Sequence, residues 1–231
     1  MRRLLPSPAT EALDVAAAYA AVDGGRPRPA GRPWVTLLMI SSVDGGTAVD
    51  GRSGALGNAG DKAVYRAVRS VADAVLVGAA TARAEVYHPL AAPRRLLVVT
   101  SSGRTGSTEL EAAPTTTLVM PSSSPEPAVP EGGASVLRAG TDRVDLRAAL
   151  AALGGVEHVV CEGGPSLNGQ LLAEGLVDEV CLSLAPLFVA GDSARLAHGP
   201  STPAGGGPWR LAHVLGDDDG YLFLRYLRAA R

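Results

Sequence analysis

Glu162-Gly163-Gly164-Pro165-Ser166-Leu167-Asn168 is the stretch of this chain best equipped for chemistry. It follows a β-branched run from Val156 to Cys161 and leads into a pattern of helical period. The spacing predicts a tight turn from the carboxyl end of a strand into a helix. Glycines at such a turn let main-chain N–H groups approach a phosphate, and Pro165 suits the first helical position, where a missing N–H costs nothing. Glu162 does not fit a phosphate cradle, because its charge repels the anion, so it is expected to face a different ligand. Three other junctions share this small-residue character: Ser42-Val43-Asp44-Gly45-Gly46, Gly78-Ala79-Ala80-Thr81 and Thr100-Ser101-Ser102-Gly103. Each alone needs no more than turn chemistry. Together, at neighbouring strand ends of a parallel sheet, they outline a dinucleotide cleft. No G-x-G-x-x-G follows a strand, which argues against a standard Rossmann site.

The acids in or near this cleft are Asp44, Glu85 and Glu162, and the nearest cations are Arg69 and Arg83. Asp44, expected to be buried between small residues after a central strand, is a stronger candidate than Glu85, which by itself reads as a solvated loop acid. The four histidines, His88, His158, His198 and His213, are scattered, and Ser166 lies in no G-x-S-x-G elbow, so serine hydrolysis is not supported. Cys161 and Cys181 fall in apolar runs and read as buried free thiols of a reducing compartment. No Cys/His spacing suits a metal, and no signal peptide or membrane span is visible, so a cytoplasmic protein is expected. A net charge of −2 gives no basis for binding nucleic acid or anionic membrane.

At 231 residues a single α/β domain is the better expectation. Thr10 is placed to cap a first helix running to Ala21, with Leu13, Ala16, Ala17 and Ala20 on one face. Residues 23–33 read as a Gly/Pro linker. Trp34 to Ile40 is near-continuously apolar, as expected of a central strand buried on both faces. Asp61 to Val71 carries apolar residues at 64, 67, 68 and 71, a helix packed on a sheet. Further strands are expected at Ala74–Val77, Leu96–Val99, Thr115–Met120, Ser135–Arg138 and Val180–Leu184, with a helix over Val144–Leu153. Pro121–Gly133 and Pro186–Pro208 read as loops. Trp209–Leu215 and Tyr221–Leu227 flank a Gly/Asp turn, whose Asp217-Asp218-Asp219 is a solvated tip, and form an antiparallel hairpin. This alternation implies a mixed, mainly parallel sheet with helices on both faces.

Ser42-Val43-Asp44-Gly45, the run Arg69 to Thr81, and Glu162 to Leu167, in this order and at these spacings, resemble the reductase domain of riboflavin biosynthesis. That is the C-terminal domain of the bifunctional pyrimidine deaminase/reductase, which shares its fold with dihydrofolate reductase. The likeness runs from about Trp34 to the C-terminus, so residues 1–33 would be an N-terminal helix and linker before a reductase domain over 34–231. It implies a three-layer α/β/α fold, a homodimer and NADPH bound across the strand ends. The cofactor would meet Ile40, Ala55, Gly78, Thr81, Glu85 and Ser101, with Arg83 on the adenosine 2′-phosphate. Its pyrophosphate would rest on Gly164 to Gln170, with Gly163, Gly164, Pro165, Ser166, Leu167 and Asn168 in contact. Ser53, Arg69 and Glu162 would bind substrate, and Asp44 and Glu162 would serve catalysis. The implied reaction reduces the ribosyl C1 of a ribosylaminopyrimidine phosphate, 5-amino-6-(5-phosphoribosylamino)uracil, to a ribitol chain, with one acid handling the proton of the ring-opening imine.

This chain departs from that pattern in several places. Gly46 stands where the family has Lys or Arg, and Glu85-Val86-Tyr87-His88-Pro89 replaces Asp-Asn-Pro or Asp-Asp-Pro. The arginine that commonly follows has a counterpart only in Arg94 or Arg95, after a gap. The histidine–glutamate and paired-cysteine zinc signature of the deaminase is absent, so a free-standing reductase is expected. Two alternatives remain: the same fold reducing dihydrofolate or a pterin, and an NADPH-binding protein without catalysis. A dimer would use a sheet edge at 180–184 or the 186–208 loop.

Overall fold

Trp34 to Ser42 has hardly a charged or conformationally awkward residue, and seven of its nine positions are buried. A strand of that kind belongs in the middle of a sheet, and that is where the computed structural model places it. The structure describes residues 1–5, 13–20, 29–199, 201 and 207–229. In chain order the elements are β1 (Arg2–Leu5), α1 (Val15–Ala20), β2 (Trp34–Ser42), a 3-10 turn at Gly54–Leu56, α2 (Ala59–Ser70), β3 (Ala74–Gly78), α3 (Ala79–Ala84) and β4 (Arg95–Val99). They continue with α4 (Thr108–Ala112), β5 (Thr116–Met120), β6 (Ser135–Arg138), α5 (Leu146–Ala151), β7 (His158–Cys161), α6 (Pro165–Ala173), β8 (Glu179–Ala185), β9 (Trp209–Gly216) and β10 (Leu222–Arg228).

The described strands form one sheet in the order β1-β9-β10-β8-β2-β7-β3-β4-β5-β6. From β8 through β6 every pairing is parallel; β10 on β8, β9 on β10 and β1 on β9 are antiparallel. Strand alternation divides the core. Val35, Leu37 and Leu76 point to one face, where Leu146, Leu150, Leu167 and Leu171 of α5 and α6 cover them. Leu38 points to the other, under Val64 and Val68 of α2, and farther along Val75 and Leu96 meet Ala82 of α3 and Leu110 of α4. The result is three layers, α/β/α, with the strand order that brings the carboxyl ends of β2, β7 and β3 together. No helix among the described residues is long and apolar enough to cross a membrane.

Three local expectations are corrected. Arg2–Leu5, unassigned above, is the strand at one edge of the sheet and joins residues 1–5 to the domain. Helix α1 buries Tyr19 and half-buries Val15 and Ala18, while Ala16, Ala17 and Ala20 are exposed. The large ring decides the face: Tyr19 meets His213 edge-on, with ring centroids 5.0 Å apart, beneath the Arg225 guanidinium. Thr10, Ala21 and most of the 23–33 linker lie outside the described residues, as do 200 and 202–206 of the 186–208 loop. Third, Val180–Leu184 is no edge. The hairpin doubles back so that β10 occupies the far side of β8, and the described edges are β1 and β6.

Candidate active site

The ends of β2, β7 and β3 open into a cleft of about 1170 Å³. Its floor is Leu38, Met39 and Ile40 of β2, and one wall is a stripe of α2, Asp61, Tyr65 and Arg69, at helical spacing i, i+4, i+8. Opposite stand Thr81, Glu85 and Tyr87, with Gly164 and Pro165 at the head of α6.

Glu162 leaves β7 at the centre of this cleft, with its carboxylate only 4% exposed. Arg69 Nε donates to Oε1 at 2.6 Å and Nη2 donates to Oε2 at 3.1 Å, a two-pronged ion pair. The hydroxyls of Tyr65 and Tyr87 both donate to Oε2. The guanidinium also lies over the Tyr65 ring, 4.7 Å from its centroid, and 5.9 Å from that of Tyr87. Burial first, and then the Glu162 charge, pushes both phenols above their ordinary range, so they remain protonated donors. Burial alone would lower the Arg69 pKa, but Glu162 and the two phenols hold it above the usual value. The carboxylate is thus saturated, and Glu162 is a fixed anchor. Arg69 Nη1 makes no hydrogen bond among the described residues, and the side chain, 21% exposed, lines the cleft.

Behind Glu162 the chain turns sharply. Gly163 has φ +91, the left-handed region that favours glycine, and the Gly163–Gly164 peptide is cis. Gly78 N–H donates to Gly163 O at 2.7 Å, docking the turn on the end of β3. A Cβ at Gly164 would run into Thr81 Oγ1, so only glycine leaves this surface open. Helix α6 starts at Pro165 and its first helical bond is Asn168 N–H to Gly164 O. The amides of Ser166 and Leu167 therefore have no carbonyl of their own helix to meet, and the positive end of α6 abuts the cleft.

Of the residues singled out from the sequence, Ile40, Ser53, Arg69, Thr81, Glu85, Glu162, Gly164 and Pro165 line one cleft. Glu85 is no solvated acid: its Oε1 accepts the Ser53 main-chain N–H at 2.7 Å and fixes the 49–57 loop. Asp44 departs most from expectation. It is exposed and outside the cleft lining, and it accepts from Ser42 Oγ at 2.6 Å and from the amides of Val189 and Ala190 at 3.1 and 2.7 Å. These donors, Ser42 first, hold its carboxyl down at about 2. Its role in the fold is to pin the 187–194 loop. Ala55 is exposed beside the lining residues Ser53 and Gly54. Arg83 also lies outside the lining, stretched over Gly106 with Nη1 3.4 Å from Arg104 O, next to the loop that carries Ser101. Leu167 is a core residue. Asn168 is fully buried, donating to Leu196 O at 2.8 Å, and its side chain braces the loop over α6. Cys161 is a buried thiol pushed up to about 12 by burial.

Tyr65, Tyr87 and Asp61 also line the cleft, with no role there expected from the sequence. The polar stripe at 61, 65 and 69, flanking the apolar one at 64, 67 and 68, was a readable signal for two of them. Tyr87 had none, because it reaches Glu162 only after the chain reverses at Val86, φ 54.

Comparison with known proteins agrees with this fold. The model of the RibD C-terminal domain matches residues 33–223. Over 178 residues the chain is 35% identical to the 2,5-diamino-6-ribosylamino-4(3H)-pyrimidinone 5′-phosphate reductase of Methanothermobacter thermautotrophicus, spanning 71% of this chain and 82% of that protein. A pyrimidine reductase-like protein of Corynebacterium diphtheriae superposes with a TM-score of 0.74 at 24% identity, over 86% of this chain and 93% of that one. The Thermotoga maritima diaminohydroxyphosphoribosylaminopyrimidine deaminase/5-amino-6-(5-phosphoribosylamino)uracil reductase gives 0.69 at 20% identity, over 86% of this chain and 57% of that one. The two structural likenesses establish a shared fold, and the sequence matches carry the kinship further: this chain belongs to the RibD C-terminal domain family.

Proposed function

We propose that this protein is an NADPH-dependent reductase of a 6-ribosylaminopyrimidine 5′-phosphate, converting the ribosyl ring to a ribitol chain. The observation that carries this reading is the split use of consecutive residues at the end of β7. Glu162 turns to Arg69 and the two tyrosines, while Gly163 and Gly164 turn the other way, to Thr81 and the head of α6. One strand end thus serves two ligands.

The cofactor side fits a dinucleotide phosphate. Gly164 keeps the surface bare, and the free amides and positive end of α6 favour an anion. When bound, NADPH supplies a hydride to the ribosyl C1. The chain's own residues bind and orient. Arg69 Nη1 and the Ser53 hydroxyl can hold the substrate's anionic or hydroxyl groups, and Glu162 fixes the guanidinium that does so. In this reading Glu162 is a positioning residue, since both of its oxygens are already committed. Ile40 and Met39 exclude water from the floor.

The test is direct. Purified protein with NADPH and the nucleotide should consume reduced nicotinamide and give a product heavier by two hydrogens, with the sugar opened. NADPH binding without turnover would instead support the non-catalytic reading, and turnover of dihydrofolate in its place would support the pterin one.

A further inference from the structure

One cleft carboxylate, Asp61, takes no part in the Arg69–Glu162 cluster. Asp61 stands in the first turn of α2, one helical turn from Tyr65 and two from Arg69, and like them lines the cleft. It is half-buried, with Ser183 of β8 acting to lower its pKa. Its own N–H is taken by the Asn58 cap at 2.9 Å, which fixes the start of the helix and hence the position of the side chain. Among the described residues no arginine or lysine forms an ion pair with it. The remaining cleft acids are committed or solvated: Glu162 to Arg69, Glu85 to the Ser53 amide, and Asp50 and Asp192 exposed to water. Access to Asp61 is kept open by Gly57, where a Cβ would stand 2.7 Å from Oδ2. Burial raises its pKa, with Ser183 and Lys62 opposing, as expected of a carboxylate that lacks a charge-assisted partner.

The two related activities named above differ along one edge of the pyrimidine. The 2,5-diaminopyrimidin-4(3H)-one presents N3–H and the 2-amino group side by side, two parallel donors that match the two oxygens of a carboxylate. In the 5-aminouracil the 2-position is a carbonyl, which would oppose a carboxylate oxygen with another acceptor. We infer that Asp61 reads the N3–H/2-amino edge, making this enzyme selective for the 2-amino-4(3H)-pyrimidinone nucleotide over its uracil counterpart. The inference rests on the reductase reading and adds an order of events. Reduction precedes the exchange of the 2-amino group for oxygen, so the ribityl product must pass to a hydrolytic deamination.

The experiment compares kcat/KM for the two nucleotides in the wild type and in Asp61→Asn, each first shown folded by its thermal midpoint. The wild type should favour the diaminopyrimidinone by at least about tenfold, since the uracil leaves a desolvated acceptor facing an acceptor. Asp61→Asn offers one acceptor and one donor, which suits N3–H and a carbonyl, so the ratio should fall about tenfold or invert. An unchanged ratio in the variant, or a wild type that prefers the uracil, overturns the assignment. A readout without turnover separates this from the reductase reading: thermal shifts with the free bases 2,6-diaminopyrimidin-4(3H)-one and 6-aminouracil. If neither nucleotide is reduced but the diaminopyrimidinone stabilises wild type and not Asp61→Asn, recognition stands and the reductase reading falls. If the two bases stabilise wild type equally, the recognition falls whatever the turnover.

Discussion

Glu162→Gln is the substitution that probes the division of the β7 end most sharply. The carboxylate accepts four hydrogen bonds, two from Arg69 and one each from Tyr65 and Tyr87. A glutamine oxygen has two lone pairs, and its NH2 would face donors, so at least two of the four donors lose their acceptor. Arg69 also keeps its charge without the counter-ion, in a site that is four-fifths buried at that side chain. Breaking a fully buried pair costs roughly 3–5 kcal/mol, and partial exposure together with the retained amide oxygen reduces this to about 2–4 kcal/mol. For a chain of this size that corresponds to a thermal midpoint lower by roughly 4–16 °C. Arg69, no longer clamped, loses its fixed orientation towards substrate, so kcat/KM should fall about a hundredfold at a temperature where the variant is still folded. NADPH affinity, measured by nicotinamide fluorescence or by the cofactor's shift of the melt, should stay within about threefold. The Gly163–Gly164 turn docks on Gly78 and Thr81, and neither contact involves the carboxylate. A variant that keeps full turnover, or that loses cofactor binding in step with turnover, would refute the division.

Three further perturbations follow from single contacts. Gly164→Ala has an allowed backbone, φ −82, so its only fault is the methyl against Thr81 Oγ1; NADPH affinity should drop by about tenfold or more in titration, and Thr81→Ala on top should restore part of it. Val86 is a β-branched residue at φ 54 just past α3, where helices favour glycine, so Val86→Gly should raise stability by about 1 kcal/mol in urea unfolding. His213 is held at about 4 by burial, with the Arg225 and Arg3 charges helping and Glu179 opposing. The unfolded chain therefore binds this proton more readily, so the stabilisation is complete above about pH 6.5 and is lost as pH falls towards 4. The loss is of order 3 kcal/mol, and unfolding midpoints of His213→Gln across that range should show a flatter profile.

What could be read in advance was local. Glu162-Gly163-Gly164-Pro165 declares a strand end, a tight turn and a helix start within four residues, because glycine and proline restrict or free the backbone where they stand. Most strands and α2 could be read from period alone. Pairing partners could not. Val180–Leu184 has the pattern of a half-buried strand whether it lies at an edge or inside, and only the return of β10 decides. Arg2–Leu5 shows almost no burial alternation, because an edge strand has little to bury, so nothing marked it as sheet. Asp44 misled for a related reason. A small-residue loop after a central strand suggests a buried site, yet here the acid turns outward to collect the amides of a loop about 145 residues away in sequence.

The same chemistry occurs twice in this sheet, and exposure separates its two uses. At the amino ends of the strands Arg225 Nε donates to Glu179 Oε1 at 2.7 Å, while Trp34 and Thr36 donate to Oε2 at 2.9 and 3.0 Å and the Tyr19 ring lies under the guanidinium. At the carboxyl ends Arg69 and Glu162 repeat the plan with Tyr65 and Tyr87. The two arrangements share a plan, a carboxylate held by an arginine, further side-chain donors and an aromatic face, with Cys181 Sγ adding a contact to Glu179 Oε1 in the first. The first is sealed, with side-chain exposures of 4% and 0%, and α1 closes over it through Ala18 O. The second opens on the cleft through Arg69 at 21% exposure, beside a glycine surface and a free helix end. A buried ion pair is by itself weak evidence of function, since such a pair contributes as readily to fixing strand register. Position at the carboxyl ends of β2, β7 and β3, and exposure to the cleft there, are what make the second pair the candidate site and leave the first as scaffold.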